Sequence, residues 1–356
     1  MNRKDVIKFC LSKGVQIDDE IVDFITEREE LLDKLIEFTK KKNELIISKK
    51  ILDDFMKLKN KNIKILKKLK IRKEFTTADV ITFFRNRFDF FFSILRKRME
   101  LVNLISVNKI TPKSRKFSLI VFVREIDRKN NRILAEDLSG YIQLTVRKDI
   151  EYLVEDEVIG VICRREKDMI ITDKIIFPDI PLMRGIKKLN ENLKIIFIST
   201  KGLDSLGDTE TKKLLSYMKD DTYVFVFGKL PDNLKRKIKN YYEVEEDTTL
   251  QFNGFIILLT NGKFISRYSP LFGKKPVKTM QILLKKRHVN PVFDGKLYEN
   301  DFYLLDEIPD IVVFPSEDPD FLNYKGITII SIGNFISKPI FWMIDLKTRE
   351  TIKLLF

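Results

Sequence analysis

The second half of the chain contains short runs of β-branched and aromatic residues. Prolines, carboxylates and glycines separate these runs. The clearest runs are residues 193–198, 223–227, 255–259 and 311–314. Apart from Lys194, every position in these runs is apolar, which predicts strands that are buried on both faces of a sheet. A helical segment near 210–218 lies between the first two runs, so residues 190–356 are expected to form a domain with a covered, partly parallel sheet.

The apolar pattern before this domain changes from a helical to a strand period. Thr76 and Asp79 have the spacing of a capping box, and a stripe follows at three- and four-residue steps. The stripe is formed by Val80, Phe84, Phe88, Phe91, Leu95, Met99 and Val102. Short strand-like runs at 117–123, 132–137, 141–146 and 158–162 come next, with turn residues between them. Residues 78–182 are therefore predicted to form a helix followed by a small barrel.

Residues 1–62 carry apolar positions at helical spacing in three short segments, which predicts a small helical module. Nine basic residues and no acidic residue then occur between Lys57 and Lys73. They are Lys57, Lys59, Lys61, Lys64, Lys67, Lys68, Lys70, Arg72 and Lys73. Runs of like charge favour a solvated linker, which we place at residues 63–77. The alternative is a strip that contacts DNA phosphates or a sliding clamp.

Composition narrows the class of protein. The 356 residues are 44% hydrophobic and 33% charged, which is ordinary for a soluble protein of two or three domains. The formal net charge of +14 suggests an acidic partner such as nucleic acid. Cys10 and Cys163 lie far apart in apolar contexts, so a reducing, intracellular compartment is expected. Charges interrupt the first residues and no apolar run reaches membrane-spanning length, so neither a signal peptide nor a membrane anchor is expected.

His288 is the only histidine of the chain. Sites that hold two transition-metal ions draw several imidazoles from separate loops, and one histidine cannot supply them. A serine or cysteine nucleophile is not indicated either, because there is no Gly-x-Ser-x-Gly elbow and neither cysteine has a nearby base. We expect His288 to have a structural role.

The order and spacing of residues 284–291 and 299–330 resemble the small subunit of the archaeal family D DNA polymerase. The similarity includes Arg287 and His288 before Pro291, and Pro309-Asp310-Ile311 at the start of a strand. It extends over residues 74–353. The resemblance implies an α+β, multidomain fold: a helical N-terminal module, an oligonucleotide-binding (OB) β-barrel at 78–182, and a calcineurin-like phosphoesterase-type β-sandwich at 190–356.

The metal-binding loops of that family differ here. The resemblance places Thr200 and Gly202 at an aspartate and a histidine of the first loop, and Lys229 at the bridging carboxylate of the second. Asn261 stands at the position of a histidine in a later loop. Val313, Ser316 and Asp318 stand at the positions of three histidines in the last loop. The remaining carboxylates that could offer oxygen ligands are Asp204, Asp208, Asp232, Asp318 and Asp320. Because Lys229 would lie among them, we expect a degenerate site with no metal or cofactor.

The resemblance therefore implies a non-catalytic small subunit of a replicative polymerase, located in the cytoplasm at the nucleoid. It would form a heterodimer with the large catalytic subunit and contribute to DNA binding, with a sliding clamp as a further candidate partner. Two alternatives stay open. One is a metal-dependent 3′–5′ proofreading exonuclease. The other is a stand-alone single-stranded DNA-binding protein, for which Phe117, Phe122 and Tyr141 are candidate stacking residues, although barrel core positions explain them equally well.

Overall fold

The computed structural model describes residues 2–26, 31–52, 55, 63–203, 207–218, 221–238, 240–333 and 340–355. Its helices are α1 Arg3–Ser12, α2 Asp19–Thr26, α3 Leu32–Lys41, α4 Thr77–Leu95, α5 Asp208–Tyr217, α6 Asp232–Lys235, α7 Ile265–Phe272 and α8 Pro276–Lys285. Its strands are β1 Gln16–Ile17, β2 Ile46–Ile47, β3 Ile63–Lys68, β4 Lys116–Asp127, β5 Arg132–Asp137, β6 Gly140–Val146, β7 Val158–Glu166, β8 Met169–Ile176, β9 Lys194–Ser199, β10 Thr222–Phe227, β11 Tyr241–Val244, β12 Thr248–Phe252, β13 Phe255–Leu259, β14 Ile311–Pro315, β15 Asp320–Tyr324, β16 Ile327–Ile332, β17 Ile340–Asp345 and β18 Thr351–Leu355. The protein is thus a mixed α and β chain with several units.

The N-terminal module contains α1, α2 and α3, and the short parallel pair β1 and β2. Asn2 and Asp5 form a capping box at the start of α1, which satisfies backbone N–H groups that a helix start leaves without partners. Val6, Ile25 and Leu35 are fully buried in a core that belongs to this module. Within the described residues, three helices and one short strand pair thus share a core of their own.

Helix α4 begins where the capping box predicts. The Thr76 hydroxyl accepts a hydrogen bond from the backbone N–H of Asp79, and the Asp79 carboxylate accepts one from the Thr76 N–H at 2.8 Å. Phe88, Phe91 and Leu95 are buried against the barrel. The apolar stripe, however, stops with the helix: Met99 is 91% exposed and Val102 is 64% exposed. A helical period does not persist past the helix end, so these two residues leave the buried face.

The barrel is closed by five strands in the order β4-β5-β6-β8-β7. Sequence reasoning found four of them and missed β8. Among the candidate stacking aromatics, Phe117 lies in the barrel core and Phe122 packs against α4. Each is only 3% exposed, which agrees with the core alternative for these two and leaves neither ring accessible for stacking. Tyr141 is 72% exposed on β6 and remains accessible.

Two sheets pack face to face in the last unit. One has the order β11-β10-β9-β17-β18 and the other β15-β16-β14-β13-β12-β3. Phe197 and Phe225 from the first sheet meet Phe252, Ile257 and Val313 from the second in a shared core. Helices α5 and α6 cover the outer face of the first sheet, and α7 and α8 cover that of the second. The result is four layers in the order helix, sheet, sheet, helix.

Residues 63–68, which we assigned to a solvated linker, form strand β3. It pairs antiparallel with β12, with Ile63 opposite Phe252 and Lys68 opposite Thr248. Its lysines conceal the strand signal, because β3 lies at the edge of the sheet and needs few buried positions. Its partner β12 lies more than 170 positions later in the chain, so the pattern of neighbouring residues cannot predict the pairing.

A buried ion pair joins the barrel to the sandwich. The ammonium of Lys286, just after α8, lies 2.6 Å from the carboxylate of Glu157, the residue before β7. Both side chains are at most 3% exposed. Lys286 also donates to the carbonyl of Tyr152 at 2.6 Å, and Glu157 accepts the backbone N–H of Val154 at 2.7 Å. These hydrogen bonds satisfy a pair of charges whose burial would otherwise be costly.

Neither Cys10 nor Cys163 forms a disulfide, and both are buried. Within the described residues, no helix combines the length and the apolar character that crossing a membrane requires.

We predict that Lys286→Met lowers the free energy of unfolding by about 3–5 kcal/mol, because it leaves the Glu157 carboxylate buried without a counter-charge. The double variant with Glu157→Gln removes that charge and should recover most of the loss. Urea unfolding followed by circular dichroism measures both. Lys285→Met, at an exposed neighbouring position, is the control and should change stability by less than about 0.5 kcal/mol. Equal effects of the two lysine substitutions would contradict the role given to the buried pair.

Candidate functional site

The carboxyl ends of the parallel strands in both sheets meet at one edge, which we call the loop edge. Strands β9, β10 and β11 are parallel, as are β13, β14 and β16. Trp342 in β17 is paired with Phe197 in β9, and its indole N–H donates to the carbonyl of Ser331 in β16 at 3.0 Å. The ends of β9 and β16 therefore lie side by side. Open α/β sheets usually bind ligands at such an edge.

The loops after β9 and β10 touch each other directly. The Thr200 hydroxyl donates to the carbonyl of Phe227 at 3.1 Å, and the Thr200 backbone N–H reaches the same oxygen. Gly228 has a φ of +109°, and a Cβ placed there would lie 2.2 Å from Thr200 Oγ1. Gly202 also has a positive φ, of +84°. The Thr200 side chain thus fills the space between the two loops.

Lys229 adds positive charge beside this contact. Its ammonium lies 3.9 Å from the Glu245 carboxylate, and its side chain is 78% exposed. An ammonium donates hydrogen bonds and has no lone pair for a metal ion while it is protonated. The second loop therefore offers no carboxylate at the position where the resemblance implies one.

The loop after β13 is held by Asp247, a residue that sequence reasoning missed. One oxygen of its buried carboxylate accepts the backbone N–H of Asn261 at 2.7 Å. The other accepts the hydroxyls of Thr260 at 2.6 Å and Tyr303 at 2.9 Å. Burial raises the pKa of Asp247 above its usual value. Asn261 Oδ1 accepts the N–H of Lys263 at 2.9 Å and so closes its own loop.

The three positions of the last loop have separate surroundings. Val313 is fully buried in the core between the sheets. The Ser316 hydroxyl shares a hydrogen bond with the Ser331 hydroxyl and donates to the backbone carbonyl of Asp318 at 3.1 Å. The Asp318 carboxylate faces the ammonium of Lys275 at 3.5 Å. Val313 has no ligand atom in its side chain, and the side chains of Ser316 and Asp318 have different partners.

The remaining carboxylates are dispersed. Asp208 lies in the first turn of α5, and the side chain of Asp232 is 91% exposed at the start of α6. Asp320 accepts the backbone N–H of Phe321 at 2.8 Å, while Asp204 is outside the described residues. In the part of the chain that the structure describes, no three His, Cys, Asp or Glu side chains are grouped so that they could hold a metal ion. The described side chains at the loop edge do not fit the metal pair that the resemblance implies.

His288 is part of a buried network. Its Nε2 lies 2.9 Å from the Asp301 carboxylate, and its Nδ1 accepts the backbone N–H of Asn290 at 3.2 Å. The acceptor role of Nδ1 requires a neutral ring with the proton on Nε2. Burial lowers the pKa of His288. Arg87 of α4 contacts Asp301 at 2.6 Å, so the histidine helps to join the helix to the sandwich.

Three of the nine basic residues in the run have acidic partners. Lys67 pairs with Asp306, Lys70 with Glu299 at 3.5 Å and Arg72 with Asp79 at 2.9 Å. Lys64, Lys68 and Lys73 are exposed. Lys57, Lys59 and Lys61 lie outside the described residues.

No protein-family model matches the chain. It is 20% identical, over an alignment of 424 residues, to the DNA polymerase II small subunit of Archaeoglobus fulgidus, and the match covers 86% of each chain. A Thermotoga maritima protein solved by NMR aligns with 46% of this chain and 98% of its own, at 15% identity and a TM-score of 0.28. A Vps29 single mutant from Entamoeba histolytica aligns with 46% and 99%, at 12% identity and a TM-score of 0.30. Both TM-scores are too low to support a statement about the fold.

We predict that the stabilising contribution of His288 declines at acidic pH. Because its pKa is lowered in the folded state, the unfolded chain takes up a proton first as pH falls below about 6.5. The contribution is complete above that value and decreases below it, by at most about 1.4 kcal/mol per pH unit. His288→Gln keeps a donor for Asp301 and does not titrate. Urea unfolding at neutral and acidic pH should show the difference between the two proteins shrinking as pH falls, and a constant difference would contradict a neutral histidine.

Proposed function

We propose that this protein is a non-catalytic accessory subunit of a family D-type replicative DNA polymerase, and that it binds and stabilises the large catalytic subunit. One observation carries the proposal: the similarity to a DNA polymerase II small subunit spans 86% of both chains. A match of that extent reaches into both the barrel and the sandwich. Similarity over most of both chains supports the same role for the two proteins more strongly than similarity of one domain would.

The architecture agrees with the proposed class. A closed five-stranded barrel preceded by α4 supports an OB-type domain, and the four-layered sandwich supports a phosphoesterase-type domain. The buried contacts of Lys286 with Glu157 and of Arg87 with Asp301 hold the two domains together. Two domains joined by such contacts suit a subunit that presents one continuous surface to a large partner.

The surroundings of the loop edge support the absence of nuclease activity. Thr200 fills the space between two loops, Lys229 contributes a positive charge, and Ser316 bonds within its own sheet. Metal-assisted hydrolysis needs ligands that converge on the ions and leave a position for water. The described residues here are instead bonded to one another, which keeps the loops in place without metal.

A contribution to DNA binding is the remaining part of the proposal. The net charge of +14 supports it, because cationic proteins gain affinity by releasing counterions from phosphates. The exposed Tyr141 on the barrel is the accessible aromatic residue among our three candidates. In this account DNA contact assists the catalytic subunit and is secondary to the association between subunits.

Co-expression of the full chain with the large polymerase subunit of the same organism tests the proposal. We expect the two to co-purify as a stable complex. The isolated small subunit should not shorten a mismatched primer in the presence of Mn²⁺, whereas a relative with its histidine motifs intact should do so.

Two outcomes would contradict this function. Robust primer shortening that is abolished by Asp318→Ala would indicate a proofreading exonuclease. Tight, salt-dependent binding of single-stranded DNA by the isolated chain, without any association with the large subunit, would indicate a stand-alone DNA-binding protein.

A further inference from the structure

A segment of irregular backbone, residues 178–189, joins the barrel to the sandwich, and we call it the connecting segment. Near its start, the carboxylate of Asp179 accepts the ammonium of Lys325 at 2.6 Å. At its end, the backbone N–H of Leu189 donates to the carbonyl of Leu346 at 2.9 Å. Both ends of the connecting segment are therefore held against the sandwich.

Arg184 fixes the middle of the connecting segment. Its guanidinium donates to the carbonyls of Ile308 at 2.9 Å and Pro309 at 2.8 Å, and it contacts the Asp310 carboxylate at 2.6 Å. The side chain of Asp310 is buried and also accepts the backbone N–H of Ile256 at 2.8 Å. Contacts with buried groups next to β13 and β14 therefore set the path of the segment.

Between these fixed points, the connecting segment exposes three large apolar side chains. Leu182 is 81% exposed and Met183 is 98% exposed, and the two form a turn at the surface. Ile186 follows and is 59% exposed. Single apolar residues scattered over a surface are normal, but turns favour small and polar residues, and clustered apolar side chains mark binding sites. Because the backbone is already held, burial of these side chains against a partner orders little of the main chain.

The exposed charges of the connecting segment are positive. Lys187 and Lys188 are exposed, and within the described residues neither is paired with a carboxylate. Asp179 is the one acidic residue of the segment, and it is already paired with Lys325. A complementary partner surface therefore combines an apolar pocket with nearby carboxylates. A second copy of this chain fits less well, because each copy carries a net charge of +14.

We propose that the connecting segment is a binding site for the large catalytic subunit, and that Leu182 and Met183 enter an apolar pocket with carboxylates at its rim. This inference rests on the proposed function. Burial of the two side chains provides affinity, and the unbranched thioether chain of Met183 adapts to the shape of the pocket. Lys187 and Lys188 attract the acidic rim and speed the association of the subunits.

The surroundings favour a protein partner over DNA. Proteins that insert apolar side chains between base pairs also neutralise phosphates with several cationic groups. Lys187 and Lys188 are the two exposed cations of the connecting segment, whereas Arg184 is bound to Asp310. Two lysines make few phosphate contacts. Three exposed apolar side chains are instead matched by an apolar surface on another protein.

Biolayer interferometry with the full chain and the large subunit of the same organism tests the proposal. The double variant Leu182→Asp/Met183→Asp should bind at least about tenfold more weakly, a difference of about 1.4 kcal/mol. Its matched control is Met169→Asp, at an exposed methionine where β8 begins. A strand rises about 3.3 Å per residue, so Met169 lies roughly 23 Å from Ile176, where β8 ends next to the connecting segment. This control should bind as the unaltered protein does.

Two further variants test the fold and the charge. Circular dichroism should show each variant folded, because the substituted side chains are exposed, and Met183→Asp alone should weaken binding in the same direction. Lys188→Glu should slow association and leave the dissociation rate constant nearly unchanged. Its control is Lys212→Glu on the exposed face of α5, which changes the net charge equally and should slow association less.

The outcomes separate this inference from the proposed function. If the unaltered protein does not bind the large subunit, both are overturned. If it binds, and the double variant binds equally well, this inference alone is overturned. Equal losses in the double variant and in Met169→Asp would show no preference for the connecting segment, and equal association rates of Lys188→Glu and Lys212→Glu would exclude the acidic rim.

Two other outcomes would assign the connecting segment to a different partner. One is a loss of affinity for duplex DNA in the double variant while its affinity for the large subunit is unchanged. The other is a concentration-dependent dimer of the unaltered chain that the double variant does not form, again with unchanged affinity for the large subunit. Either result would overturn the proposal.

Discussion

The structure depends on the burial of two sheets on both faces. Phe197, Phe225 and Val313 fill the core between the sheets, while Ile198 and Phe314 lie on the outer faces under helices. The strands that are buried on both faces are therefore apolar at most positions, and their ends are fixed by packing on both sides. The positions of the loops follow from these ends. They do not depend on which side chains the loops carry.

Because strand packing fixes where the loops begin, the loop edge can keep its geometry without residues that bind a metal. Packing places Thr200, Lys229 and Ser316 at the ends of β9, β10 and β14, and local hydrogen bonds then hold the loops. Asp247 has the same effect on the loop after β13, because its carboxylate accepts one backbone and two hydroxyl donors there. In the proposed accessory subunit, these contacts take the place of metal coordination as the means of ordering the edge.

Sequence reasoning succeeded where the signal was local. The capping box at Thr76, the helix after it and the continuous apolar strands all follow from neighbouring residues. It failed where the deciding partner is distant in the chain. The lysines of β3 predict a linker because they hide an edge strand whose partner is β12. Asp247 was overlooked because it follows Glu245 and Glu246 and resembles an exposed acidic run, although its position directly before a buried strand was a usable signal. Only the family resemblance assigns ligand positions to Thr200, Gly202, Lys229, Asn261, Val313, Ser316 and Asp318, and no local pattern would have indicated them.

The most direct test of the central claim is a titration of the purified full-length chain with Mn²⁺, followed by electron paramagnetic resonance. Two manganese ions held by shared ligands give an exchange-coupled spectrum that differs from the spectra of free and singly bound ions. The account predicts that no coupled spectrum forms at any manganese concentration. A coupled spectrum that is lost in Asp318→Ala would show that the loop edge still holds a metal pair, and would contradict the account.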